Sequence, residues 1–466
     1  MRVLFVVHMF WPEHRAGVET YTWQLARGLM ARGIEVRVLT ARKVVSLQTG
    51  TMRHRSLDGL EIVEVTNNLD FETPEASWAE PAMERAFRAA LDDFGPDLVH
   101  VQHLMHWSVA LPGICREAGI PVMGTLHDYW MVCGRMGQLI DAEGARCPGP
   151  SAARCGPCLA RTPLVQGERA KRWIRRASAL RRATGLRLDA PLRAAERWRR
   201  RLVGGGEDAP PPPAAEVAAW SSRWERRRED FRRAARDFDL LVTPSAALAA
   251  ILEAEGVGEG KIRRLPQGLD HDFVGGRTRR PRRGPVRLGF VGTLAPHKGV
   301  HVLLEAFARL PAGLATLAIH GPSRHHPDYA AGLVARAAEI EGASVGGPLD
   351  RAALADFLVD LDLLCVPSLW NECCPLTIQE AAIAGTPSAV SGIGGMAELV
   401  RDGVDGLQLP PGDVGAWAAG LEAVVRAPER LDAFRAAMRP VPTLDEHLEA
   451  LLELYRERTA VRPADG

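Results

Sequence analysis

Short apolar runs alternate with helix-spaced stretches from the first residues onward. "RVLFVV" (2–7) is followed by "VETYTWQLARGLMARG", whose apolar positions recur at helical spacing. Then come "EVRVLT", "EIVEVT", a helical pattern near 75–93, "DLVHVQH", a short helical stretch and "PVMGTLHD". Near-continuous apolar runs of this length suit strands buried on both faces, and their alternation with helices predicts a parallel sheet covered by helices on both sides. The same grammar restarts at "VRLGFVG" (286–292) and continues through "LATLAIHG", "LDLLCVPS" and "PSAVSG". Two doubly wound α/β domains are predicted, joined near 270–284, where "GGRTRRPRRGP" reads as a linker. A last helical pattern at 443–459, "LDEHLEALLELYRERTA", is expected to pack back on the first domain. The expected division is 1–280, 281–440 and a C-terminal helix and tail over 441–466, with an insert at 133–236 inside the first domain.

Composition changes this picture little. The 466 residues are 46% hydrophobic and 25% charged with a net charge of +1, so the whole-chain balance selects no polyanionic partner. "MRVLFVV" is too short for a signal peptide and lacks a small-residue cleavage site; it reads as the first strand. No apolar stretch approaches the roughly 20 residues that span a bilayer. A cytoplasmic location is expected. One segment stands apart: residues 161–236 hold 21 Arg or Lys against 9 Asp or Glu, a local net of +12, split by "PPPP" at 210–213. Trp173, Ala177, Leu180 and Thr184 fall at helical spacing there, and Trp198, Trp220 and Trp224 add aromatic anchors. Two readings stay open: a basic amphipathic surface for anionic lipid at the inner face of a membrane, or an arginine-rich insert packed on the acidic remainder. Nucleic acid is not expected, since no recognition module accompanies the arginines.

The candidate chemistry lies in the second domain. "WNECCPLTIQE" (370–380) places Glu372 and Glu380 eight positions apart with Pro375 between them. Proline is tolerated at a helix start and Gly385 fits the position past its end, so a helix is expected from about Pro375 to Ala384. Its opening amides, at Leu376 and Thr377, have no partner within the helix and suit an anion. Glu380, about two turns in, is placed to accept from a vicinal diol, while Glu372 stays on the preceding loop. "GFVGTLAPHKG" sets Lys298 just after a strand end, where α/β sheets bind ligands. It is not a Walker loop. "GIGGMAELV" adds Gly394, Gly395 and Glu398, and "HRAGVE" sets Gly17 between the first strand and first helix. No Gly-x-Gly-x-x-Gly follows a strand, which excludes a dinucleotide-dependent dehydrogenase.

Together these features resemble the retaining GT-B glycosyltransferases of glycosyltransferase family 4, over most of both domains. The resemblance implies two Rossmann-like domains facing a cleft, and sugar transfer from a nucleotide-diphosphate sugar to a saccharide or lipid-linked saccharide in cell-surface polysaccharide or glycoconjugate synthesis. It further implies that Glu380 holds the ribose and Glu372 faces the donor sugar. Lys298 and the Leu376 and Thr377 amides would bind the diphosphate, and His127 in "GTLHDYW" would face the sugar from across the cleft. Gly17 matches the second of a usual glycine pair. Two positions depart from the pattern: Ala16 replaces the first glycine, and Thr293 stands where many members carry an arginine. These departures keep open a catalytically silent binding protein in a polysaccharide-assembly complex. No cofactor is expected for catalysis.

Cys133, Cys147, Cys155 and Cys158 form C-x13-C-x7-C-x2-C in a Gly/Pro-rich loop. Four thiolates can close a tetrahedral structural zinc site, with no open position for catalysis. Free thiols and disulfides remain alternatives. Cys115, Cys365, Cys373 and Cys374 read as small core residues, His103 and His106 as cleft wall or core, and Asp128 as a cap for the segment after it.

Overall fold

The computed structural model describes residues 1–162, 184 and 211–460, apart from 15, 72, 136, 280 and 282. The basic stretch containing Trp173 and Trp198 therefore lies outside the described residues.

The first domain begins β1 (Arg2–Val7), α1 (Gly17–Ala31), β2 (Glu35–Arg42), β3 (Met52–Leu57), β4 (Leu60–Thr66), α2 (Pro81–Phe94), β5 (Leu98–Val101), α3 (Leu111–Glu117) and β6 (Val122–Thr125). It continues with α4 (Ala152–Arg161), α5 (Ala214–Asp237), β7 (Leu240–Thr243), α6 (Ala246–Ala254) and β8 (Ile262–Arg264). Its sheet runs β3-β4-β2-β1-β5-β6-β7-β8, parallel except for the antiparallel edge strand β3. Val3 to Val7 are all fully buried. Strands covered on both faces need such unbroken apolar runs, which is why β1 was legible as a strand.

The second domain holds β9 (Val286–Val291), α7 (Val300–Phe307), β10 (Ala315–His320), α8 (Pro327–Ala337), β11 (Ala343–Gly346), α9 (Arg351–Asp360) and β12 (Leu363–Val366). Then follow α10 (Leu376–Ile383), β13 (Ser388–Ser391), α11 (Gly394–Leu399), β14 (Gly406–Leu409), α12 (Val414–Val425) and α13 (Glu429–Ala437). Its six strands are parallel, in the order β11-β10-β9-β12-β13-β14. Phe273 already packs in this domain's core, ahead of the arginine-rich linker.

The chain then returns. α14 (Leu444–Thr459) starts with a capping box between Thr443 and Glu446 and buries Leu448, Leu451, Leu452 and Tyr455 against Tyr21, Leu25 and Leu29 of the first domain. Among the described residues no helix is long and apolar enough to cross a membrane.

The structure corrects the expectation for α5. Trp224 is not an aromatic anchor for a surface: it is buried, as are Arg227, Phe231, Ala234 and Ala235 on the same helical face. Trp220 is half-buried. The arginines that dominate this helix by count occupy its other faces, so composition hid an amphipathic core helix.

Candidate active site in the interdomain cleft

Pro375 caps α10 from outside rather than occupying its first turn, and Gly385 follows with a positive φ of 75°. Ile378 N donates to Pro375 O at 3.2 Å, so the amides of Leu376 and Thr377 precede the first bond of the helix. The loop before it carries Glu372, which is buried. Lys298 sits on a short 3-10 turn (Pro296–Lys298) beyond β9, with its Nζ 2.5 Å from Glu372 Oε1. Ser368 Oγ donates to the same oxygen at 2.8 Å. Burial works to raise the Glu372 carboxyl, but the charge and hydrogen bond of Lys298 outweigh it, with help from Ser368, and hold it below the usual carboxylate range.

Two glycines make this meeting sterically feasible. Gly299 has φ +67°, and a Cβ there would lie 2.0 Å from Pro367 O. Gly395 N donates to Glu372 O at 2.7 Å, and a Cβ on Gly395 would lie 1.9 Å from Cys373 O. The Lys298 turn and the start of α11 thus press backbone-to-backbone on the two sides of the Glu372 loop.

Glu380, buried within α10, pairs with Arg351 at the start of α9. The Arg351 guanidinium lies over the Phe273 ring at 4.1 Å. Sequence reasoning did not find Arg351, because nothing local ties the first residue of one helix to an acid 29 positions on. Thr293 lies half-buried just past β9.

The first domain supplies the facing wall. Gly17 is the first residue of α1, and the atom nearest to where its Cβ would be is Leu376 Cδ1 at 3.9 Å. The α1 start and the α10 start therefore face each other across the cleft. Ala16 has φ −81° and ψ −175°, ordinary extended backbone, so the missing glycine imposes no strain. Cys373 packs with Tyr129 in the first domain's core cluster.

Beneath this wall, at the C-terminal ends of β1, β5 and β6, lies a polar cluster. His127 Nε2 lies 3.0 Å from Gln102 Oε1, and Gln267 Nε2 lies 3.5 Å from Nδ1. Burial pushes the His127 imidazole down to about 3, so it is neutral, with Nε2–H donating to Gln102. Tyr21 packs edge-on to it and donates its hydroxyl to His447 Nε2 at 2.7 Å, while His447 Nδ1 donates to Pro266 O at 2.8 Å. His103 Nε2 lies 3.1 Å from Asp128 Oδ2, and Asp128 Oδ1 accepts from Trp130 N at 2.8 Å. His8 and Glu19 lie 3.4 Å apart. Burial lowers the His8 imidazole and raises the Glu19 carboxyl. His8 Nδ1, Glu19 Oε2 and Gln102 Nε2 are buried with no hydrogen-bond partner among the described residues. Neither His8 nor Glu19 was singled out from sequence, since a buried His-Glu pair leaves no periodic signal.

Glu398 is not part of the α10 site. Its carboxylate accepts from Ala246 N (3.0 Å) and Ala247 N (2.6 Å) at the start of α6, joining the domains.

Cys155 and Cys158 lie in helix α4 rather than in a loop, and with Cys133 and Cys147 they line one cavity; none is in a disulfide. Among the described residues, no group of three or more His, Cys, Asp or Glu side chains stands arranged to hold a metal ion. Cys115, Cys365 and Cys373 are buried core thiols, and Cys374 is half-buried.

Comparison with known proteins fits this geometry. Residues 285–427 match the family model "Glycosyl transferases group 1", and residues 15–190 match "Glycosyltransferase Family 4". Glycogen synthase of Mycobacterium tuberculosis is 34% identical over 198 residues, 41% of this chain and 47% of that protein. D-inositol 3-phosphate glycosyltransferase of Mycobacterium bovis is 30% identical over 233 residues, 47% of this chain and 48% of that protein. The chain thus spans about half the length of the curated relatives it matches. Among solved structures, sucrose-phosphate synthase from Thermosynechococcus elongatus superposes with TM-score 0.64 at 16% identity, covering 99% of this chain and 100% of that one. Anabaena HepE in complex with UDP and glucose gives TM-score 0.57 at 15% identity, over 98% and 95%. The fold is GT-B, and each domain carries the sequence signature of a glycosyltransferase family.

Proposed function

We propose that this chain is a retaining glycosyltransferase that moves a sugar from a nucleotide-diphosphate sugar to a saccharide or lipid-linked saccharide acceptor. The observation that carries the reading is the Lys298–Glu372 contact set just before the open amides of α10, with the Gly17 loop facing them. A helix start is worth roughly +0.5 charge, and together with one lysine it would stabilise a leaving diphosphate without a metal. Glu380 would accept from the ribose hydroxyls while Arg351 keeps the carboxylate oriented. Glu372 Oε1 is engaged by Lys298 and Ser368, so its role in this proposal is to hold charge beside an oxocarbenium-like sugar, not to attack it. His127, neutral and held through both ring nitrogens, would shape the sugar pocket without exchanging a proton. Acceptor hydroxyls would meet His8 Nδ1, Glu19 Oε2 and Gln102 Nε2. HepE was solved with UDP, which makes uridine donors the first to test.

A thermal-shift and donor-hydrolysis panel of UDP-, GDP- and ADP-sugars tests this. One nucleotide sugar at about 100 times its Kd should stabilise the fold by about 2.7 kcal/mol, and Lys298→Ala should remove most of that shift and most transfer. If no donor shifts melting or is turned over, the proposal fails.

A further inference from the structure

We infer that Cys133, Cys147, Cys155 and Cys158 bind one zinc ion as a tetrathiolate, with the buried Arg227 as its counter-charge. All four side chains line one cavity of about 280 Å³ between the loop after β6 and helix α4. Cys155 and Cys158 are three residues apart on α4 and so share a face. Cys147 follows an isolated antiparallel bridge, Ile140 to Arg146, that folds its segment back towards Cys133. Gly156, between the two helical cysteines, lets α4 lie directly on α5: a Cβ there would be 2.0 Å from Ser221 Oγ. The thiols of Cys133 and Cys147 donate weakly to Arg135 O (3.8 Å) and Gly149 O (3.4 Å). Binding requires them to leave these carbonyls and turn into the cavity. A cysteine has one side-chain torsion with three staggered wells, so the turn is a small change.

Arg227 supplies the independent observation. It is 6% exposed, its guanidinium lies 3.9 Å over the Phe231 ring, and its Nη2 donates to Trp130 O. No carboxylate lies within ion-pair distance of it among the described residues; Cys133 and Cys155, and after them the Asp128 carboxylate, are near enough for their charge to act on it. A buried cation without an anion is costly. Four thiols that bind a divalent ion and release their four protons to solvent form a centre of net charge −2, which supplies a close anion. Two disulfides would carry no charge and would leave Arg227 with only the weaker influence of Asp128, so the arginine favours metal over oxidation. The centre would fasten the loop that follows His127 and Asp128, one wall of the cleft.

The test uses the full chain purified without chelator. Elemental analysis should find about one zinc per chain, and cobalt exchanged into the site should show thiolate charge-transfer absorption with tetrahedral ligand-field bands. Cys155→Ser with Cys158→Ser should lose the metal. Arg227→Met should weaken metal retention against a chelating indicator by about 10- to 100-fold, as removal of outer partners of a metal site does. If the cysteine variant misfolds, cobalt exchange into the wild-type chain decides the matter. A folded wild-type chain with no zinc and four readily alkylated thiols, or with two disulfides by mass, overturns the inference. None of these measurements involves a sugar donor, so failure here leaves the transferase reading untouched, and the reverse also holds.

Discussion

At the scale of single residues, the contact between Lys298 and Glu372 has a pH signature. Burial alone would raise the Glu372 carboxyl; Lys298 and Ser368 bring it below 4.5. A carboxyl lowered on folding contributes stability above its unfolded value, and that contribution is lost as pH falls through the folded value. Lys298→Ala leaves burial opposed only by the hydrogen bonds from Ser368 and Trp370. The variant should be about 2 kcal/mol less stable than wild type near neutral pH, less than for a fully buried pair because Lys298 is partly exposed. The gap should narrow as pH falls through the lowered wild-type value of Glu372, below which the carboxyl is protonated in both proteins. Melting curves across that range check it, and a gap independent of pH would refute the assignment. By contrast, His127 has its imidazole near 3, so it should leave no inflection in the rate between about pH 5 and 8.

At the scale of elements, two glycines facing the same site predict opposite outcomes. Gly395→Ala drives a methyl group into Cys373 O, a backbone atom that cannot swing aside. It should cost about 2 kcal/mol of stability and displace Glu372, with activity falling alongside the melting point. Gly17→Ala meets only Leu376 Cδ1 at ordinary contact distance and needs no positive φ. It should melt like wild type, with any effect confined to the donor KM. Equal melting points for the two variants would contradict this account of the loop. The same elements show what was legible beforehand. β1, β5, β9 and β12 are short, apolar and buried on both faces, and the helix over 376–383 is bracketed by proline and glycine. β3 was missed because "MRHRSL" is an exposed edge strand with no apolar alternation, and β11 ("ASVG") and β14 ("GLQL") because each mixes small or polar residues into a partly exposed run, unlike the fully buried, mostly apolar β5 and β12 of the same length. α5 was visible as a helix but not as core, since its buried stripe runs through an arginine. Long-range partners such as Arg351 and Glu380 have no sequence signal at all.

At the scale of the whole molecule, the cleft is held by contacts remote from the chemistry. α14 leaves the second domain and seals the first, placing Tyr455 OH 2.5 Å from His100 Nδ1 in the buried sheet. Glu398 acts from the other side: its two oxygens cap the first amides of α6, and Arg264 lies 3.5 Å away. A cap carried by a different domain couples helix stability to domain closure, since opening the cleft uncovers the amides. Glu398→Ala should therefore act twice. It should lower stability by about 1 kcal/mol, the usual worth of a helix cap. It should also loosen the closed arrangement, seen as a larger radius of gyration by small-angle scattering without donor and a raised donor KM. Saturating donor should restore the compact form, because ligand bound to both walls replaces the lost link by mass action. If wild type and variant scatter alike and share one KM, Glu398 caps α6 and nothing more. Closure would then rest on α14 and the Cys373–Tyr129 packing alone.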